Sequence, residues 1–172
     1  MGNFQAGRRM IILGRLRNMT SIYLFKDNKV LLLYRQESRV VNNLWTGSAG
    51  GHFEEFELND AKAAVLRELY EEIGITEDEL SNLELKYITL RNTNGEIRQN
   101  YYFFARIDKD ISVSSNEGIL RWFLIDEIGG LEMPFTAKYV LRHYMSEGMR
   151  NDMIYGGVAT KDGVIFTELD DF

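Results

Sequence analysis

The chain has 172 residues, 45% of them hydrophobic and 27% charged, the size and composition of one globular domain with a real core. It contains no cysteine and only two histidines, which excludes a disulfide scaffold, a cysteine nucleophile and a thiolate metal site and disfavours a His-rich zinc site, so any metal is expected on oxygen ligands. The formal charge of −6 argues against a surface built to track long nucleic acid, whose affinity comes from Lys and Arg neutralising phosphates, yet it suits a small nucleotide bridged by a divalent cation.

Arg8, Arg9, Arg15 and Arg17 all precede the first acid, Asp27, so residues 1–19 read as a basic lead-in, with a transit-type peptide or an upstream extension of the start as the other readings. The apolar run Met10 to Leu13 is too short for a signal-peptide core or a membrane span, and Ala6 stands where a myristoylation signal wants Ser or Thr. A cytoplasmic location is the default expectation. Residues 20–172 show no repeat, and the single proline, Pro134, marks no linker, which predicts a single domain. "TSIYLF" and "KVLLLYR" around Asp27-Asn28 predict a β-hairpin, and the loop "QESRVVNNLWTGSAGG" leads from it into an acidic stretch.

In that stretch Asn59 or Asp60 caps a helix start, Ala61, Ala63 and Ala64 favour the helix, and Gly74 followed by Ile75 is a stop, which predicts a helix over about 60–73. Beyond it, "LELKYITLRN" and "EIRQNYYFFARI" flank Thr93-Asn94-Gly95, a strong hairpin signal. "ILRWFLID" predicts a further strand and "FTAKYVLRHYMSEG" a second helix ending at Gly148. "DMIYGGVA" and "GVIFTEL" predict a terminal hairpin over about 152–169. Strands around two helices make the chain a mixed α/β protein.

On the first helix, Val65, Leu66, Leu69 and Ile73 fall on one stripe, while Glu68, Glu71 and Glu72 fall on an adjoining arc. Like charges three and four residues apart cost roughly 0.2–0.5 kcal/mol per pair. A solvated face usually intersperses Lys with Glu, but this arc holds no Lys and only Arg67 stands at its edge. Three convergent carboxylates are what a hard cation such as Mg²⁺ takes, so the expectation is that a metal, rather than a Lys partner, offsets them. Gly47, Gly50 and Gly51 just upstream allow a backbone to approach an ion or a phosphate closely.

These residues resemble the signature of the Nudix hydrolase family, G-x5-E-x7-R-E-U-x-E-E-x-G-U with U a bulky aliphatic residue. Gly51 to Glu57 matches the first part, and Arg67-Glu68-Leu69-Tyr70-Glu71-Glu72-Ile73-Gly74-Ile75 matches the second, so the box spans 51–75. The join departs from the pattern, because nine residues rather than seven separate Glu57 from Arg67. The helix cannot absorb an insertion without rotating its own face. The two extra residues are therefore placed before the cap, around Leu58 and Asn59, which leaves the carboxylate trio intact and bears instead on the pairing of Glu57 with Arg67.

The resemblance covers roughly residues 20–145 and implies a Nudix-like α/β/α sandwich with a mixed sheet, here with an additional C-terminal β-hairpin. It implies hydrolysis of a nucleoside diphosphate linked to another group, with Mg²⁺, or Mn²⁺ as the second candidate, held by Glu68, Glu71, Glu72 and the Gly50 carbonyl. Arg67 would orient the carboxylates, Gly51, Glu57 and Gly74 would support them, and Glu117 in "SSNEGIL" is a candidate further ligand or base. The general base stays open among Glu72, Glu68 and such a later acid.

For substrate binding, Arg35 and His52 could reach phosphate oxygens, although an Arg at a strand end is commonly a surface cation. Alternation puts Arg98, Asn100, Tyr102 and Phe104 on one strand face, which suits either a nucleobase or the core. Trp45 and Trp122 carry the same two readings, and His143 on the second helix reads as a packing residue. The leading expectation is a nucleoside triphosphate substrate, oxidised ones such as 8-oxo-dGTP included, giving nucleoside monophosphate and pyrophosphate. An ADP-ribose, nucleotide-sugar or dinucleotide pyrophosphatase is the second reading, and a non-catalytic nucleotide-sensing or protein-binding module the third. The expected partner is a small-molecule nucleotide, with no long nucleic acid and no membrane; a homodimer stays open.

Overall fold

In the computed structural model, residues 14–36, 43–108 and 114–171 are described here. Eight strands among them form one mixed sheet: β1 (Arg15–Lys26), β2 (Lys29–Arg35), β3 (Leu44–Thr46), β4 (Ser81–Thr93), β5 (Glu96–Arg106), β6 (Gly118–Leu124), β7 (Tyr155–Ala159) and β8 (Val164–Glu168). Two helices, α1 (Ala61–Ile73) and α2 (Phe135–Ser146), lie on its opposite faces. The sheet order is β3-β2-β1-β5-β4-β7-β8, with β6 also paired to β2. β1 starts at Arg15, so part of the stretch read as a basic lead-in is strand, and residues 1–13 of that stretch lie outside the described residues.

Strand alternation builds the two cores. In β1, Ile22 and Leu24 point to one side and Tyr23 and Phe25 to the other; in the parallel neighbour β5, Phe103 and Ala105 oppose Tyr102 and Phe104 in the same way. The first set packs with Val65, Leu69 and Ile73 of α1, the second with Ala137, Val140 and Leu141 of α2. Both tryptophans take the core reading: Trp45 packs against the α2-side cluster and Trp122 against the α1-side cluster.

α1 is capped as its sequence dictates. The Ala63 N–H donates to Asp60 Oδ1 at 2.9 Å, and Gly74 takes a left-handed conformation, φ 72°, with its N–H on the Tyr70 carbonyl at 2.9 Å. α2 runs to Ser146 and is followed by a short 3₁₀ turn, Gly148–Arg150. Within that α2 layer the Tyr87 hydroxyl and His143 Nδ1 share a hydrogen bond of 2.8 Å, the packing role expected for this histidine. The terminal hairpin extends the main sheet, because β7 pairs in parallel with β4.

The segment that positions the site is the glycine loop before α1. β1 pairs with β2 only from Leu24 onward. Along its earlier half the loop takes β2's place, with Ile22 N–H donating to Ala49 O at 2.9 Å and Thr20 N–H to Gly51 O at 2.8 Å. Gly50 sits at φ 149°, and a Cβ there would run into the Thr20 carbonyl and lie 2.8 Å from Ser21 Cα, so the loop can lie this close only with glycine.

Candidate active site

Glu57, Arg67 and the α1 acids meet at the glycine loop. Arg67 Nε donates to Glu57 Oε1 at 2.6 Å and Nη2 to Glu57 Oε2 at 2.8 Å, a two-pronged pair on a carboxylate that is 1% exposed. The two extra residues of the box fall in the turn at Leu58 and Asn59, between a short 3₁₀ turn ending at Glu57 and the Asp60 cap, and both are exposed. The insertion therefore bulges outward and leaves the pair intact. Arg67 continues with Nη1 to Glu68 Oε1 and to Glu71 Oε2, both at 2.9 Å, and with Nη2 to the His52 carbonyl at 3.0 Å. The guanidinium beside it holds the Glu57 carboxyl below the usual Glu value, and its acidic partners push Arg67 itself upward.

Glu72 has a different partner. Its Oε2 accepts the Gly50 N–H at 3.0 Å, and its Oε1 accepts Arg35 Nη2 at 2.8 Å. The same Nη2 donates to Gly50 O at 3.1 Å, while Nη1 lies 3.3 Å from Glu117 Oε2. Burial raises Glu72 to about 7 against the pull of Arg35, and burial also raises Glu68 against that of Arg67. Gly51 packs against the Glu68 carboxylate so closely that any Cβ would collide with it. The three acids are thus offset by two arginines in this structure. Arg67 is the cation that the sequence sets at the edge of the arc, whereas Arg35, 33 positions before Glu68 and on another element, does not show on a helical wheel.

The donor set fits a hard divalent cation. Glu68, Glu72 and the Gly50 carbonyl are oxygen donors gathered at one loop, and no sulfur or imidazole competes. Among the described residues, however, no three acidic or histidine side chains stand close enough together to hold an ion as they are, and the carboxylates are engaged by the two arginines instead.

A cleft of about 240 Å³ runs from Arg35, Gly50 and Gly51 along the α2 side of the sheet to Arg91 and Thr136. Asn100 and Arg98 line it, as strand alternation predicts, and so does His52. Burial and the nearby Arg17 and Arg98 lower the pKa of His52, so it offers a neutral ring at neutral pH. Arg98 is tied to Glu96 at 2.9 Å. Three buried polar atoms on the cleft wall find no hydrogen-bond partner among the described residues: the hydroxyls of Thr20 and of Tyr23, a residue 0% exposed, and Asn100 Oδ1. Tyr23, Thr89 and Arg91 were not singled out from sequence; a hydroxyl-bearing tyrosine in the apolar run Ile22 to Phe25 of β1 was the available signal for the first.

A mixed sheet between two helices, with a glycine loop folded onto a helix of the pattern R-E-x-x-E-E, is the architecture of a hydrolase of pyrophosphate bonds. The NUDIX domain family model matches residues 15–144, and the chain belongs to that family. The structure is similar to that of the mutator MutT protein from Bacillus halodurans, at 25% identity and a TM-score of 0.59 over 90% of this chain and 95% of that one. A MutT protein from Methanosarcina mazei (19% identity, TM-score 0.65, 80% and 98% covered) and an Ap4A hydrolase of C. elegans (17%, 0.61, 80% and 99%) share the fold. No curated protein matches the sequence. The protein is therefore a Nudix hydrolase of nucleoside diphosphate-linked substrates, with the α/β/α sandwich that its sequence predicts. No helix among the described residues is long and apolar enough to cross a membrane.

Proposed function

We propose that the protein hydrolyses a nucleoside triphosphate, oxidised forms such as 8-oxo-dGTP included, to the monophosphate and pyrophosphate, and does so in the cytoplasm. The observation that carries this reading is the continuity of the cleft. One end touches the glycine loop and Arg35 beside the acids, and farther along it the unpartnered Tyr23 hydroxyl and Asn100 Oδ1 offer hydrogen bonds to a base edge. Its volume lies below the ~300 Å³ at which drug-sized sites usually begin, which favours one base over a longer second group.

Glu68, Glu71, Glu72 and the Gly50 carbonyl would hold Mg²⁺, or Mn²⁺ in its place. When bound, the metal neutralises phosphate oxygens and lowers the pKa of a water. Glu57 holds Arg67 in a two-pronged grip, so Arg67 presents Glu68 and Glu71 from a fixed position. Arg98 and Asn100 line the cleft where the nucleoside would lie. The base that takes a proton from water is one of Glu72, Glu68 and Glu117, all gathered around the two arginines.

One observation favours a longer substrate, a dinucleotide or an ADP-ribose type. A second, open recess of about 460 Å³ adjoins the cleft through Arg91 and is lined by Asn92, Phe135 and Lys161. The test is release of pyrophosphate or phosphate from a panel of nucleoside triphosphates, oxidised deoxynucleoside triphosphates, ADP-ribose and dinucleotides with Mg²⁺, beside Glu72→Gln. Turnover of triphosphates with pyrophosphate as product supports the first reading. Preference for ADP-ribose or dinucleotides replaces it with the second, and no turnover above the mutant background sinks both.

A further inference from the structure

Arg35 stands where a cation is wanted. Its Nη2 bridges Glu72 Oε1 and Gly50 O at 2.8 and 3.1 Å, and its Nη1 faces Glu117 Oε2 at 3.3 Å. Oxygens from α1, from the glycine loop and from the segment before β6 therefore converge on one guanidinium. Such oxygens, two from carboxylates and one from a carbonyl, are also a donor set for a hard divalent ion. The Glu72 side chain is only 9% exposed, so water screens this position weakly. The two arginines of the site differ in how they are held. Arg67 is anchored by both oxygens of buried Glu57, whereas Arg35 grips Glu72 with a single nitrogen.

We propose that Arg35 is a tethered counter-cation that occupies the metal position in the resting protein and is driven out of it when the divalent ion loads. The inference rests on the metal-dependent reading above and adds to it a competitor built into the chain. A guanidinium and a divalent ion cannot share Glu72 Oε1 and Gly50 O, because their charges repel and the same lone pairs would serve both. Metal affinity is then reduced by the fraction of molecules in which Arg35 is seated. Arg35 also lines the cleft beside Gly51, so the displaced guanidinium has a place to go on the side where the anionic part of a substrate would lie. An anion there favours the displaced state, which couples substrate binding to metal binding in both directions.

The test is Mn²⁺ binding in the absence of nucleotide, followed by calorimetry and by electron spin resonance of free Mn²⁺, for the wild type, Arg35→Met, Arg35→Lys and Glu72→Gln. Arg35→Met should bind Mn²⁺ about 10-fold more tightly or better, the scale of one charge-assisted pair. Arg35→Lys should fall between it and the wild type, and Glu72→Gln should lose affinity. Equal or weaker binding by Arg35→Met overturns the inference while leaving the metal reading standing. Binding by neither protein overturns both. A second measurement uses the wild type alone: the side-chain N–H signals of Arg35, protected in metal-free protein, should lose protection when Mg²⁺ is added. Signals unchanged at saturating Mg²⁺ overturn the inference.

Discussion

Glu57 is a carboxylate at 1% exposure that both nitrogens of a guanidinium fork keep charged. Removing one partner of such a pair strands the other charge, so Glu57→Ala should cost about 3 kcal/mol in urea unfolding, with a loss under about 1 kcal/mol refuting the structural role. The sign of its pH effect follows from the direction of the shift. Its folded pKa lies below the unfolded one, so its stabilisation is present above the ordinary Glu range and is lost as pH falls through the folded value. Glu57→Gln should therefore flatten the acid limb of the stability profile relative to the wild type. At the same scale, His143 is shifted the opposite way from its charged form. Burial lowers its pKa against the pull of Glu147, so the unfolded chain binds the proton first. Stability should fall as pH drops through about 6.5, and His143→Gln should reduce the difference in unfolding midpoint between pH 5.5 and 7.5. An unchanged difference would show that another group, such as His52, dominates.

At the scale of elements, the glycine loop acts as a stand-in strand. It carries no regular alternation of its own, yet it supplies the hydrogen bonds that β1 lacks ahead of Leu24 and brings Gly50 N–H and O to the acids of α1. Gly50→Ala places a methyl against the Thr20–Ser21 backbone of β1, and backbone cannot swing aside. It should cost at least about 2 kcal/mol and abolish turnover together. Thermal unfolding and steady-state assay check this. A variant with wild-type stability would mean that the loop lies farther from β1 than the structure has it. β4 illustrates a different dependence on neighbours. A bulge between Leu85 and Tyr87 places Lys86 at 1% exposure with its Nζ on the Asn151 carbonyl at 2.5 Å, a buried lysine that no local pattern announces.

For the whole molecule, the terminal hairpin lies beyond the family match but not beyond the fold. β7 pairs with β4, Tyr155 stacks on Tyr87 with ring centroids 5.4 Å apart, and Phe166 packs on His143 at 4.5 Å. Ending the chain at Asn151 would leave β4 as an unpaired edge with an exposed aromatic cluster, so the truncated protein should melt at lower temperature and associate in size-exclusion chromatography. A monomer with an unchanged melting temperature would show the hairpin to be dispensable.

What the sequence determined by itself is what short-range physics decides. Caps at Asp60 and Gly74, alternation in β1 and β5, and the Asn-Gly turn each act within a few residues, and they were enough to predict the helices, the hairpins and the acidic arc of α1. The motif spacing also placed the two extra residues at Leu58 and Asn59, because a helix cannot take them. Only the tertiary structure decided which charges meet. Arg35 reaches Glu72 across 37 positions because β2 and the glycine loop both lie against β1, and Glu57 keeps Arg67 because the turn carrying the insertion bulges into solvent. Charge pairing depends on distance in space, and the sheet order that sets those distances is the collective outcome of burying two helices on opposite faces.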